Sequence, residues 1–205
     1  MNVPFLTDGQ IHLSADSFLQ KYHHTLDIPV PIEEIIEQKL DIQILSIKGF
    51  ESGCEVSGSL SKDFKTILID EDEFERQIQR ARFTLAHEVG HSVLHHQLFT
   101  QSGGFNDLDS FIKFQNNLID KDYKKLEIQA YRFAEEIIFP REKLKKIIEE
   151  EVKVLGGLPS LNVNDLNSIL SKICQEFDAS ERAVFNKIKR DYPNIIEIAE
   201  SATSF

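Results

Sequence analysis

The spacing of apolar positions along the chain changes period several times, and each change marks an element. Ala15 to Leu26 reads as a first helix, and Pro31 opens a second over Ile32 to Lys39, where its missing N–H costs nothing. Asp41 to Ile47 then alternates Ile42, Ile44 and Leu45 with polar neighbours, and Lys65 to Asp70 carries Ile67, Leu68 and Ile69. Both predict strands, with a short third strand between them at Ser57 to Ser61. From Glu73 to His95 the apolar residues Phe83, Leu85, Ala86, Val89, Val93 and Leu94 cover so much of a helical circumference that one long, mostly buried helix is expected.

Gln97 to Lys125 breaks this order: it is polar, holds Gly103 and Gly104, and interleaves Phe105, Leu108, Phe111, Ile112 and Phe114, which reads as a long excursion of the kind that forms lids. Helical periodicity resumes from Leu126 to Phe139, where Pro140 stops the helix or starts the next. After Gly156 and Gly157 two further stripes follow, Leu166, Ile169, Leu170, Ile173, Cys174 and Phe177, then Ala183, Val184 and Ile188 behind the N-cap candidate Ser180. Joined by Asp178 and Ala179, they resemble a helix-turn-helix. The expected architecture is α+β: a small sheet packed on the long helix, then a C-terminal helical unit. The expected domains are residues 1–155, with an insertion at 97–125, and residues 156–205.

The long helix carries the candidate chemistry. His87, Glu88 and His91 stand in the spacing H-E-x-x-H, which on a helix brings two imidazoles to one face a turn apart, able to share a metal ion, with Glu88 beside them to act as a base on water. Roughly 2 chains in 100 of this composition would carry the pattern by chance, so the rest of the chain must complete it. Catalytic zinc usually takes three protein ligands and leaves one position open. Glu127 is the preferred third ligand, since it shares a helix face with Ala130, Tyr131, Ala134 and Ile138, and the two alanines permit close approach to the motif helix. His95 lies two turns, roughly 12 Å, from His87, too far for all three to meet one ion; His96 points elsewhere, Glu135 is lateral, and Glu136 falls on the opposite face as an expected solvated charge. Tyr131, one turn from Glu127, is a candidate to stabilise an oxyanion.

Composition narrows the class. The 205 residues are 41% apolar and 28% charged, enough for one substantial core with an appendage, and the net charge of -11 argues against a broad nucleic-acid-binding face. Ser171 to Tyr192 holds five Lys or Arg against four acids, a near-neutral balance that disfavours DNA reading by the C-terminal helices. Cys54 and Cys174 form no C-x-x-C pair, and no secretory signal or membrane span is evident, so a cytoplasmic protein is expected.

The run Arg82-Phe-Thr-Leu-Ala-His-Glu-Val-Gly-His-Ser-Val-Leu-His95 and the later run Glu127-Ile-Gln-Ala-Tyr-Arg-Phe-Ala-Glu-Glu-Ile-Ile-Phe-Pro140 together resemble the ImmA/IrrE metallopeptidases, as do Pro31-Ile-Glu-Glu-Ile-Ile-Glu and the stretch from Gly58 to Asp70 upstream. The resemblance implies a zincin-like fold, Zn2+ held by His87, His91 and Glu127, Glu88 as general base, and an endopeptidase that cleaves a DNA-binding repressor to relieve repression. The 35 residues between His91 and Glu127 are more than the resemblance leads one to expect. A substrate peptide is expected to lie extended along the strand Lys65 to Asp70. Two other roles keep the same fold: a non-catalytic regulator, and a toxin component that binds a repressor or antitoxin. Retention of Glu88 speaks against the regulator, because metal binding alone has no need of a base.

Overall fold

The computed structural model describes residues 3–54, 57–61, 63–101 and 120–202. The expected insertion falls mainly on residues 102–119 and so lies outside the described residues. The chain divides into two units, one built from the described residues of 1–25 and 31–137, the other from those of 26–30 and 138–205.

In the first unit, α1 (Asp8–Tyr22) starts well before the expected Ala15, and its cap is the reason. Thr7 and Gln10 form a reciprocal box in which Gln10 N–H donates to Thr7 Oγ1 at 3.2 Å and Thr7 N–H donates to Gln10 Oε1 at 2.9 Å. This satisfies the first turn although its residues are mostly polar. Helix α2 (Ile32–Glu34) widens into a π-helical turn at Ile35–Lys39, closed by Leu40 N–H on Ile35 O. Three strands follow, β1 (Gln43–Ile47), β2 (Gly58–Leu60) and β3 (Thr66–Asp70), with the short helix α3 (Phe50–Cys54) between the first two.

The strand order is β1-β3-β2, parallel for β1 with β3 and antiparallel for β2 with β3. This corrects one expectation. β3 is central and hydrogen-bonded on both sides, so a peptide has no free edge of Lys65 to Asp70 to join. The edge beside the motif helix belongs to β2.

The single long helix expected from Glu73 to His95 is two helices, α4 (Glu71–Arg76) and α5 (Ile78–Leu94), parted by non-helical torsions at Gln77 (φ -122, ψ 55). Asp70 is what turns strand into helix: its Oδ1 accepts from Asp72 N–H at 3.0 Å, and its Oδ2 accepts from Glu51 N–H at 3.0 Å, pinning α3 as well. The backbone donors at its carboxylate hold the Asp70 pKa below the usual carboxylate range, with Glu51 N–H the largest contributor. Helix α6 (His96–Gln101) follows α5, and α7 (Asp120–Ile138) begins six residues before the expected Leu126.

The core of this unit gathers Ala81, Leu85, Ala86 and Val89 of α5, Ile67 and Ile69 of β3, Ile32, Ile35 and Ile36, and Ala130, Phe133 and Ala134 of α7, all buried. Phe18 of α1 meets Phe133 edge-on, ring centroids 5.7 Å apart. The α+β, zincin-like architecture is therefore a three-stranded mixed sheet against α5, with helices around them.

The second unit is helical: α8 (Arg141–Val154), a 3-10 turn at Leu158–Ser160, α9 (Val163–Phe177), α10 (Glu181–Asp191) and α11 (Pro193–Ser201). Asn162 and Asp165 box the start of α9, Asp178 takes the left-handed conformation (φ 47) that ends it, and Ser180 caps α10. Leu166, Ile169, Ile173 and Phe177 pack with Val184, Ile188 and Ile195. No helix among the described residues is long and apolar enough to cross a membrane.

Candidate metal centre

Helix α5 sets the site: Ala81, Leu85, Ala86 and Val89 bury one side of it, and its period brings His87 and His91 together a turn apart. The two rings meet edge to face with centroids 4.7 Å apart and their Nε2 atoms 3.0 Å apart. Glu127 reaches the same point from α7, its Oε2 3.2 Å from His87 Nε2 and its Oε1 3.6 Å from His91 Nε2. One ligand atom from each residue lies within 4.8 Å of the others.

These separations allow a test of fit. Bonds of about 2.0–2.1 Å from a tetrahedral zinc ion put neighbouring ligand atoms roughly 3.3 Å apart. The three contacts, 3.0, 3.2 and 3.6 Å, straddle that length. Two imidazoles and one carboxylate are also a catalytic rather than a structural donor set, leaving a position for water.

The approach of α7 depends on a residue the sequence pattern did not single out. Gly90, between the two histidines, faces Ala130: a Cβ added there would stand 3.0 Å from Ala130 O and 3.1 Å from its Cα. The two backbones thus touch one turn beyond Glu127, and this brings its carboxylate to the imidazoles. The alanine at 130 was legible as a small residue. Its partner was not, since a glycine within a helical run reads as a propensity cost.

Glu88 faces the sheet. It is buried, and the N–H of Leu60 in β2 donates to its carboxylate. Burial is the largest influence on it and pushes its pKa up to about 7, opposed by His87 and assisted by the Glu127 charge. Burial also depresses His87, yet the hydrogen bond it donates to Glu127 and the charges of Glu88 and Glu127 outweigh it, so the net direction is upward. His91 is driven well down, by burial first and by the neighbouring His87 and His95 second.

The other candidates separate clearly. His95 is buried and outside the cluster, its Nδ1 3.0 Å from His91 Nδ1 and its Nε2 2.9 Å from Gln129 Oε1; burial brings its pKa down to about 4. His96 stacks on Phe64 at 4.2 Å. Glu136 is not the solvated charge expected of it: it is buried and takes His12 Nδ1 at 2.8 Å, because α1 covers that face of α7. Glu135 is fully buried, with Arg132 3.3 Å away. The ring of Tyr131 packs on Phe83, centroids 4.9 Å apart.

Two imidazoles and a carboxylate converging beside a buried second carboxylate, on an H-E-x-x-H helix backed by a small mixed sheet, define a metallopeptidase-type site. The sequence pattern of the IrrE N-terminal-like domain, peptidase family M78, matches residues 37–188, and the chain belongs to that family. No curated protein matches it. Membership makes this a peptidase-type hydrolase, with a protein as the class of substrate.

Proposed function

We propose that the protein is a zinc-dependent cytoplasmic endopeptidase in which His87, His91 and Glu127 hold Zn2+ and Glu88 is the general base. The observation that carries this reading is the convergence of the three ligand atoms at tetrahedral-edge distances next to a buried carboxylate that has no Lys or Arg partner among the described residues. A bound zinc ion would acidify a water and polarise the scissile carbonyl.

Glu88 takes a proton from the attacking water as oxygen bonds to the carbonyl carbon. It returns that proton to the amide nitrogen as the C–N bond breaks, leaving a carboxyl and an amine terminus. A group that must accept and then donate works best with a pKa raised from the carboxylate range towards the working pH, and burial pushes Glu88 in that direction. Tyr131, one turn from Glu127 on α7, is retained as the candidate oxyanion donor; its packing on Phe83 gives it a fixed position from which to act.

The substrate strand pairs with the outer edge of β2. Ser61 N–H donates to Thr66 O and Asp70 N–H to Ser57 O, so these serines turn towards β3 and, by alternation, Gly58 and Leu60 turn outward, with the Leu60 N–H given to Glu88 and the Leu60 carbonyl left for pairing. Gly58 lies directly against Glu88, where an added Cβ would be 3.3 Å from Glu88 Oε1, so a peptide on this edge passes the base. The family resemblance makes a helix-turn-helix repressor the substrate to try, with the second unit as a docking element and no direct nucleic-acid contact required.

The test mixes the protein, with zinc, and a small helix-turn-helix repressor, taken from a neighbouring gene where one is found. Cleavage should require zinc, disappear in Glu88→Gln with zinc stoichiometry unchanged, and disappear in His91→Ala with zinc lost. Equal cleavage by parent and Glu88→Gln would sink the mechanism. Unchanged zinc content in Glu127→Ala would remove Glu127 from the ligand set.

A further inference from the structure

We propose that His95 and Gln129 are positioning residues which dictate which ring nitrogen of His91 carries its hydrogen, with the backbone carbonyl of Pro4 as the fixed end of the chain of contacts. This rests on the reading of His91 as a metal ligand through Nε2.

The direction follows from one group that has no choice. A carbonyl only accepts, so Gln129 Nε2, 2.9 Å from Pro4 O, donates to it. That sets the amide with Oε1 towards His95 Nε2 at 2.9 Å, and an amide oxygen also only accepts, so the hydrogen is on His95 Nε2. A neutral imidazole carries one hydrogen, which leaves His95 Nδ1 bare. His91 Nδ1, 3.0 Å away, must then be the donor, and His91 Nε2 is left with its lone pair aimed at the point shared with His87 and Glu127.

Burial makes the relay binding. His95 is 1% and Gln129 4% exposed, so solvent does not compete for these contacts. The far end is held too, because Val3 is buried against Leu126, with Leu98 and Tyr123 packed on the same cluster, and Lys125 Nζ lies 3.5 Å from Val3 O. A histidine ligand usually donates its other N–H to a carbonyl or carboxylate directly. Here two intervening side chains carry that constraint to a main-chain carbonyl 87 positions away in sequence (91 minus 4). It also explains the third histidine of the i, i+4 series, which cannot join the metal yet is buried beside it.

Long-range 1H–15N spectra of the zinc-loaded full-length protein should show His95 with its hydrogen on Nε2 and His91 with its hydrogen on Nδ1. Zinc affinity, read by competition with a fluorescent chelator, should fall roughly 10- to 100-fold in His95→Leu and in Gln129→Leu. His95→Asn, whose Oδ1 can accept from His91 Nδ1–H, should recover most of the loss. Circular dichroism and thermal unfolding of each variant exclude a folding defect as the cause. A hydrogen on His95 Nδ1, parental zinc affinity in His95→Leu, or no recovery in a folded His95→Asn would each overturn the proposal. If the parent bound no zinc, the metal reading would fail first, and the same spectra of the metal-free chain would still decide the His91 tautomer.

Discussion

Two buried carboxylates, Glu73 in α4 and Glu88 in α5, differ in how their charge is answered. Glu73 has Arg80 Nε 2.8 Å from Oε2 and the Thr84 hydroxyl donating to Oε1, while Arg80 also reaches Glu51 at 2.6 Å and Ser57 at 2.7 Å. Glu88 has the Leu60 N–H and, in His87, an imidazole that opposes the rise in its pKa, but no Lys or Arg paired with it among the described residues. Thr84 and Gly58 form the wall between the two, since a Cβ on Gly58 would stand 2.6 Å from the Thr84 methyl and 3.3 Å from Glu88 Oε1. Burial raises the pKa of both acids. A shifted pKa alone therefore does not mark a catalytic group; a charge paired with a guanidinium fixes structure, whereas one held only by a backbone N–H and an imidazole beside a candidate metal site is the one proposed to move a proton.

The contrast can be broken most severely at Glu88. Glu88→Gln should lower cleavage by about 10²- to 10⁴-fold, the usual worth of a general base, whereas Glu73→Gln should leave the rate near that of the parent. Comparable losses in both would erase the distinction. Next in size is the contact that brings Glu127 in. Gly90→Ala must push α7 away from α5 and should cost about 1–3 kcal/mol, read as a lower urea midpoint, together with weaker zinc binding in the folded protein. Parental stability and zinc affinity would mean that the helices have room to spare.

The smallest effect sharpens the picture at Glu73. Its folded pKa is raised, by burial first, so ionising it costs the folded state stability as pH climbs past the ordinary 4.5. Glu73→Gln removes that loss. The variant should gain on the parent as pH rises, measured as the difference in urea midpoints at acid and neutral pH. A variant that loses ground instead would mean that Arg80 dominates and the carboxylate is held ionised.

Much of this site was legible because it is local. H-E-x-x-H needs only the helical period, and the face shared by Glu127, Ala130 and Ala134 needs only the same rule applied once more. What escaped depends on which distant elements touch. Strand order decides that β2 rather than β3 offers an edge, and no alternation of Ile and polar residues encodes it. Glu136 reads as solvated until α1 brings His12 against it, and α1 itself started early because Thr7 and Gln10 act as a cap. His95 is excluded as a ligand by spacing alone, but its link to Gln129 joins residues 34 apart and could not be seen from either.

The division of the three ligand atoms between α5 and α7 also orders events during synthesis. Glu127 follows His91 by 36 positions (127 minus 91), which at roughly 5–20 residues per second is a delay of about 2–7 s on the ribosome. Through that interval the nascent chain carries the two histidines and Glu88 without their third partner. With His87, His91 and Glu127 as the proposed ligand set, the centre is completed only after the later helix is made, so a half-made chain is not an armed one.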